Sequence, residues 1–174
     1  MADRTKLAAP RWTIPRMAPD WNDLICTPDS DAIEALAASW SWRIGDAFTP
    51  LLFTALGDMF YEADEGGIFW LNTGTAEVAR VAESVPGFNQ LLREEIAEEW
   101  LLPPLIEALI EAGKTRAEGE CYTYVTLPVF AEGEYSVENL HPVSAKEHFE
   151  LTGSVLQQLQ DLPDGTDVSI DITH

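Results

Sequence analysis

Hydrophobic positions change their spacing several times along this chain, and each change marks a structural element. From Asp29 or Ser30 onward, Ile33, Leu36, Ala37 and Trp40 recur at three- and four-residue intervals. That period predicts a helix capped at its start and ended by Gly45. Pro50 then precedes a run over residues 51–61 rich in Leu, Phe and Thr, residues 62–67 read as a turn, and residues 68–71 form a short apolar segment. Together these predict a β-hairpin. Residues 72–75 are a second turn and residues 76–82 alternate into a third strand.

Further along, Ser84 is placed to cap a helix that tolerates Pro86 in its first turn and buries Phe88, Leu91 and Leu92. Pro103 and Pro104 break the helix expected over 94–102 and open a new one, with Leu105, Ile106, Leu109 and Ile110 on one face and Gly113 as its stop. Residues 121–127 return to strand chemistry and end at Pro128, while residues 132–142, with Gly133 and Asn139, read as a surface loop. Ser144 with Glu147 three residues later has capping-box spacing, and the helix it starts runs to about Gln160 with Phe149, Leu151, Val155 and Leu159 as its buried stripe. Residues 168–172 alternate into a last strand. Helices and strands mixed in this order predict an α+β fold, an antiparallel sheet packed with several helices, in a single domain over residues 29–174. Residues 1–28 carry prolines 10, 15, 19 and 28 and are expected to form an extended strap, with Trp12 and Trp21 pinning it to the body.

Charge changes the picture most. The 174 residues hold 30 acidic and 10 basic side chains, a net charge of -20, on a composition that is 46% hydrophobic. The apolar content is that of a packed globule, so the acid decorates a folded surface and does not signal disorder. Such a surface repels phosphate backbones and anionic lipid and attracts basic proteins, which excludes nucleic acid and membrane as partners. No run approaches the roughly 20 apolar residues that cross a bilayer. The first 16 residues hold four basic and one acidic side chain (+3), leaving -23 on the remainder. A basic arm on an acidic body is compatible with a monomer or a homodimer. Two isolated cysteines, Cys26 and Cys121, give no disulfide framework, and a cytoplasmic location fits them best.

Candidate chemistry is sparse. His141, His148 and His174 show no ligand spacing with Glu147 or Cys121, and read as exposed or capping residues. Cys121, set in an aromatic strand, reads as core. Asp161, Asp164 and Asp167 around Gly165 lack the alternation of a calcium loop. Glu94 with Glu98 and Glu95 with Glu99 share a helical face and read as solvated like charges. No nucleotide-binding glycine motif or nucleophile elbow occurs, so no catalytic residue, metal or cofactor is assigned. What remains is an acidic surface in two groups: Asp58, Glu62, Asp64 and Glu65 around the first hairpin, and Glu132, Glu134 and Glu138 in the loop after the 121–127 strand. These are the candidate residues for binding a basic protein.

A series of short motifs then carries a family resemblance: Gly57-Asp58-Met59-Phe60-Tyr61, Gly67-Ile68-Phe69-Trp70-Leu71, Cys121-Tyr122-Thr123-Tyr124, Leu127-Pro128-Val129-Phe130, Gly133-Glu134-Tyr135, Glu138-Asn139-Leu140, and the helix bearing His148. Over about residues 46–172 the chain resembles the domain of unknown function that forms the C-terminal part of a type VI secretion immunity protein. The resemblance implies a bacterial protein that neutralises an antibacterial toxin, in the best-described cases a DNA-degrading one, by binding and without catalysis. A housekeeping interaction module and an enzyme with a concealed site are the alternatives.

Overall fold

A computed structural model describes residues 18–168. The basic arm, Trp12 and all but Val168 of the last expected strand lie outside the described residues. The element order is α1 (Trp21–Leu24), β1 (Ile25–Cys26), α2 (Ser30–Ile44), β2 (Phe48–Thr54), β3 (Met59–Ala63), β4 (Ile68–Leu71), β5 (Val78–Ala82), α3 (Val85–Leu91), α4 (Ile96–Leu101), α5 (Pro103–Glu111), β6 (Glu120–Tyr124), β7 (Leu140–Ser144) and α6 (Ala145–Leu159). Strands β1 to β5 form one antiparallel sheet in sequence order, and β6 and β7 form a separate antiparallel pair. The α+β architecture, with helices packed on an antiparallel sheet, is as predicted.

Alternation along β3 sorts its side chains to two faces. Met59 and Tyr61 join Phe53 and Leu71 beneath α2 and α6, which contribute Leu36, Trp40, Phe149 and Leu156. Phe60 points the other way, into a cluster with Ile68, Phe88 and Trp100 from α3 and α4. A third cluster, built from Leu56, Ile106, Leu109, Tyr122 and Leu140, fills the end of the sheet where α5 meets β6. Gly153 of α6 allows close approach to α2, since a Cβ there would stand 2.6 Å from the Ser39 carbonyl oxygen.

Local capping explains where the helices begin. Asp29 accepts from the Ala32 N–H, Ser84 from Gly87 and Ser144 from Glu147, as the sequence predicts. The strands expected over 76–82 and 121–127 are shorter, as β5 and β6, and two further stretches depart more from expectation. The 51–61 run is broken by a tight turn in which the Gly57 N–H bonds the Thr54 carbonyl, so β2 and β3 are a hairpin of their own. Residues 140–144, expected to end a loop, pair with β6 as β7. Pro142 is tolerated there because a two-stranded ribbon leaves one side of each strand without a partner strand.

The part of the strap that is described is not extended throughout. It holds the short helix α1, and β1 pairs with β2. Trp21 does not pin it, being 45% exposed. The Arg116 guanidinium does so, donating to the Asp23 and Ile25 carbonyls at 2.7 and 3.0 Å while lying 5.3 Å from the Tyr122 ring centre. Cys26 of β1 and Cys121 of β6, distant in sequence, are buried in the same core cluster.

A candidate binding cavity

The turn between β2 and β3 is the organising point of the molecule. Gly57 adopts φ +81°, and a Cβ at this position would stand 2.5 Å from both Cδ2 and Nε2 of His148. A glycine is therefore required twice, for the backbone and for the imidazole that packs on it. Next to it, Asp58 turns inward. Its Oδ1 accepts from the Thr73 N–H at 2.9 Å and from the Thr73 hydroxyl at 3.2 Å. The Thr73 hydroxyl also meets His148 Nε2 at 2.8 Å, and His148 Nδ1 meets the Thr123 hydroxyl at 2.8 Å.

This chain of groups joins four segments that lie far apart in sequence: the 55–58 turn, the 72–75 turn, β6 and α6. His148 is completely buried, and burial pushes its pKa down to about 3, so it is neutral. Asp58 is pushed up to about 7, chiefly by burial, with the Thr73 bonds opposing. The exposed or capping role expected for His148 is thus corrected. A neutral imidazole can sit in the interior because both ring nitrogens are engaged.

Asp58 also lines a cavity of about 790 Å³. Leu56, Trp70, Trp100 and Leu105 provide its apolar walls. Asn72 and Tyr135 stand beside Asp58; Asn72 Oδ1 accepts from the Gly74 and Thr75 N–H groups, and its amide nitrogen donates to the Tyr135 hydroxyl at 3.2 Å. Tyr135 is held edge-on against Tyr124, ring centres 5.9 Å apart. Glu95, Glu98 and Glu99, all exposed, form the remaining rim. The Asp58 oxygen left over, Oδ2, carries no hydrogen bond among the described residues. The Trp70 indole N–H lies close enough to favour the Asp58 anion without forming a well-shaped hydrogen bond.

The acidic residues singled out in the sequence do not form one site. Asp58 is corrected from a surface hairpin position to a buried one, 3% exposed, because the turn that carries it folds under the 72–75 turn. Asp64 and Glu65 are exposed at the β3–β4 tip, and Glu62 is partly buried beside them. That tip lies at the other end of β3, about 20 Å away at some 3.3 Å per residue. Glu132, Glu134 and Glu138 are exposed on the loop that delivers Tyr135 to the cavity. The glutamates of α4 and its N-cap, read as a solvated face, are the ones that rim the cavity. Their signal was present in their spacing; what they face is set by tertiary packing.

Residues 82–155 match the family described as T6SS immunity protein Tdi1, C-terminal. This is the family the motif series resembles. The matched segment is shorter than the 46–172 span of the resemblance, so Gly57, Asp58 and Trp70 precede it. It nevertheless contains Glu95, Glu98, Glu99, Trp100, Thr123, Tyr135 and His148, and hence the acidic rim and the far half of the buried network. A crystal structure described as Atu4351 from Agrobacterium tumefaciens aligns with a TM-score of 0.47 and 16% identity, over 75% of this chain and 65% of that one. The chain thus spans less than two thirds of the length of that structure. No curated protein sequence matches the chain.

Proposed function

We propose that this protein is a cytoplasmic immunity protein that binds and blocks a type VI secretion toxin, of the DNA-degrading class, without catalysing a reaction. The match over residues 82–155 carries this reading, because that segment is similar to a family described as an immunity-protein domain and also supplies the acidic rim of the cavity. A nuclease is basic where it grips phosphate, and a surface of net charge -20 presents the opposite potential to that grip. Opposite potentials speed encounter and fix register, and a bound acidic protein competes with the nucleic acid for the same basic groups. The loop that bears Tyr135 adds exposed apolar groups, Val125 and Val129, of the sort that anchor a protein interface within a polar surround.

A second reading rests on Asp58. A carboxyl group held near neutrality in a cavity is also what general acid catalysis requires. Its neighbours Asn72, Trp70 and Tyr135 are groups suited to holding a ligand. The two readings separate in one experiment. Each gene flanking the one that encodes this chain is expressed in a bacterial host with and without it. The immunity reading expects a gene that is lethal alone and tolerated when the chain is present; rescue of none of them contradicts it.

A further inference from the structure

We infer that the cavity between the 55–58 turn, α4 and the Tyr135 loop receives the guanidinium of an arginine side chain presented by the toxin partner. This rests on the immunity reading above and assigns the contact within it. Three features of the cavity select that chemistry. Its floor holds a carboxyl group, Asp58, that is 3% exposed, takes both Thr73 bonds at one oxygen and has the Trp70 indole N–H as its other polar neighbour, without a well-formed hydrogen bond. Its lining includes three aromatic residues, Trp70, Trp100 and Tyr135, and a planar, weakly hydrated cation is held beside aromatic rings better than a compact ammonium is. Its rim carries Glu95, Glu98 and Glu99, which attract a cation before it is desolvated. An apolar side chain would leave Asp58 unpaired, and an anion would meet acid on every approach.

Entry of the cation has a consequence for protons. Without a cation beside it, Asp58 holds its proton up to about pH 7. The groups that face it are Thr73 and Trp70 from the sheet and its turn, Tyr124 and Cys121 from β6, and Tyr135 from the loop. His148 stands behind Thr73 and is neutral. The rim glutamates complete the set of charges, and none of these groups is a cation. A guanidinium at Oδ2 favours the anion, so binding expels the Asp58 proton. With half-ionisation near pH 7, affinity rises about tenfold between about pH 6 and about pH 8.

The test uses N-acetyl-arginine methylamide as the probe, followed through the indole N–H resonance of Trp70 on the intact chain. N-acetyl-lysine methylamide and N-acetyl-norleucine methylamide serve as comparison probes. Saturable binding is expected for the arginine probe, weaker for lysine and weakest for norleucine, with the pH dependence given above. Asp58→Asn lowers the affinity about tenfold and removes that pH dependence. Glu98→Lys with Glu99→Lys, on the exposed rim and outside the core, weakens binding even if the Asp58 variant folds poorly. Equal binding of norleucine and arginine, no saturable shift, or full affinity in the rim variant overturns the assignment. Because the titration contains no toxin, failure of the immunity reading leaves its outcome unchanged. Where a toxin is in hand, undiminished binding of that toxin by both variants overturns the contact.

Discussion

The two ends of strand β3 carry the same kind of side chain in opposite settings. At one end Asp58 is sealed against Thr73, with His148 behind it and a cavity in front. At the other, Asp64 and Glu65 stand in water on a turn whose glycines, Gly66 and Gly67, have φ near +90°. A carboxylate in solvent contributes long-range potential and little else, whereas one removed from solvent becomes a titrating group tied to the stability of the fold. The net charge read from the sequence belongs to the first kind, and the candidate binding chemistry belongs to the second.

Glycine substitutions break this comparison most sharply. Gly57→Ala places a methyl group 2.5 Å from an imidazole tethered at both nitrogens, on top of the positive φ. A loss of about 3 to 5 kcal/mol is expected by urea denaturation. Gly66→Ala at the tip meets nothing within 4 Å, so only the backbone cost of about 1 to 2 kcal/mol remains. Losses of equal size would show that His148 does not pack as described.

Protons sharpen it next. Folded Asp58 keeps its proton up to about pH 7, whereas an aspartate carboxyl in water titrates at 3.8. Folding therefore takes up a proton between those values, and this contribution makes stability fall as pH rises through the window. His148 has the opposite sign. It loses its proton above about 3 when folded, against 6.5 for the unfolded value, so its contribution makes stability rise across that range. Between about pH 4 and about pH 6.5 the two slopes cancel, because the folded protein holds one proton on Asp58 and the unfolded chain holds one on His148. Asp58→Asn removes one of the pair. Its stability relative to the parent is expected to climb from nothing near pH 4 to at most about 4 kcal/mol above pH 7, measured by denaturation across pH. A pH-independent difference would contradict the burial of an ionisable Asp58. At the tip, Asp64→Asn and Glu65→Gln replace exposed side chains and are expected to change stability by no more than about 0.5 kcal/mol.

Much of the fold was legible because its punctuation is local. Asp29, Ser84 and Ser144 each bond the N–H group three residues ahead, and Gly113 adopts the positive φ that ends α5, so sequence spacing alone locates these ends. The β2–β3 turn was concealed because Ala55 and Leu56, which lie within it, carry the apolar run across it. The signal that marks it is Gly57-Asp58 between two apolar stretches. Strand β7 was hidden by Pro142, whose meaning depends on how many partner strands it has.

The cavity was less legible. Asp58 is 15 residues from Thr73, and Thr73 is 75 from His148, so no local pattern announces their contact. Charge was visible in the sequence and burial was not. This is why Asp58 reads as one more surface acid and Glu95, Glu98 and Glu99 read as a solvated helix face. The motif series was more informative than any single charge, since Gly57-Asp58, Cys121 to Tyr124 and His148 all converge on the buried network.

The proposed function requires that the acidic face around the cavity hold a basic toxin. Its most direct test is the affinity of the chain for a toxin recovered by rescue, measured from about 50 mM to about 500 mM salt, for the parent and for a variant with Glu95, Glu98 and Glu99 all changed to Gln. The parent is predicted to lose at least about tenfold in affinity over that range, and the variant to bind more weakly at low salt with a shallower dependence. Equal affinity at both salt concentrations, or a variant indistinguishable from the parent, would contradict the account.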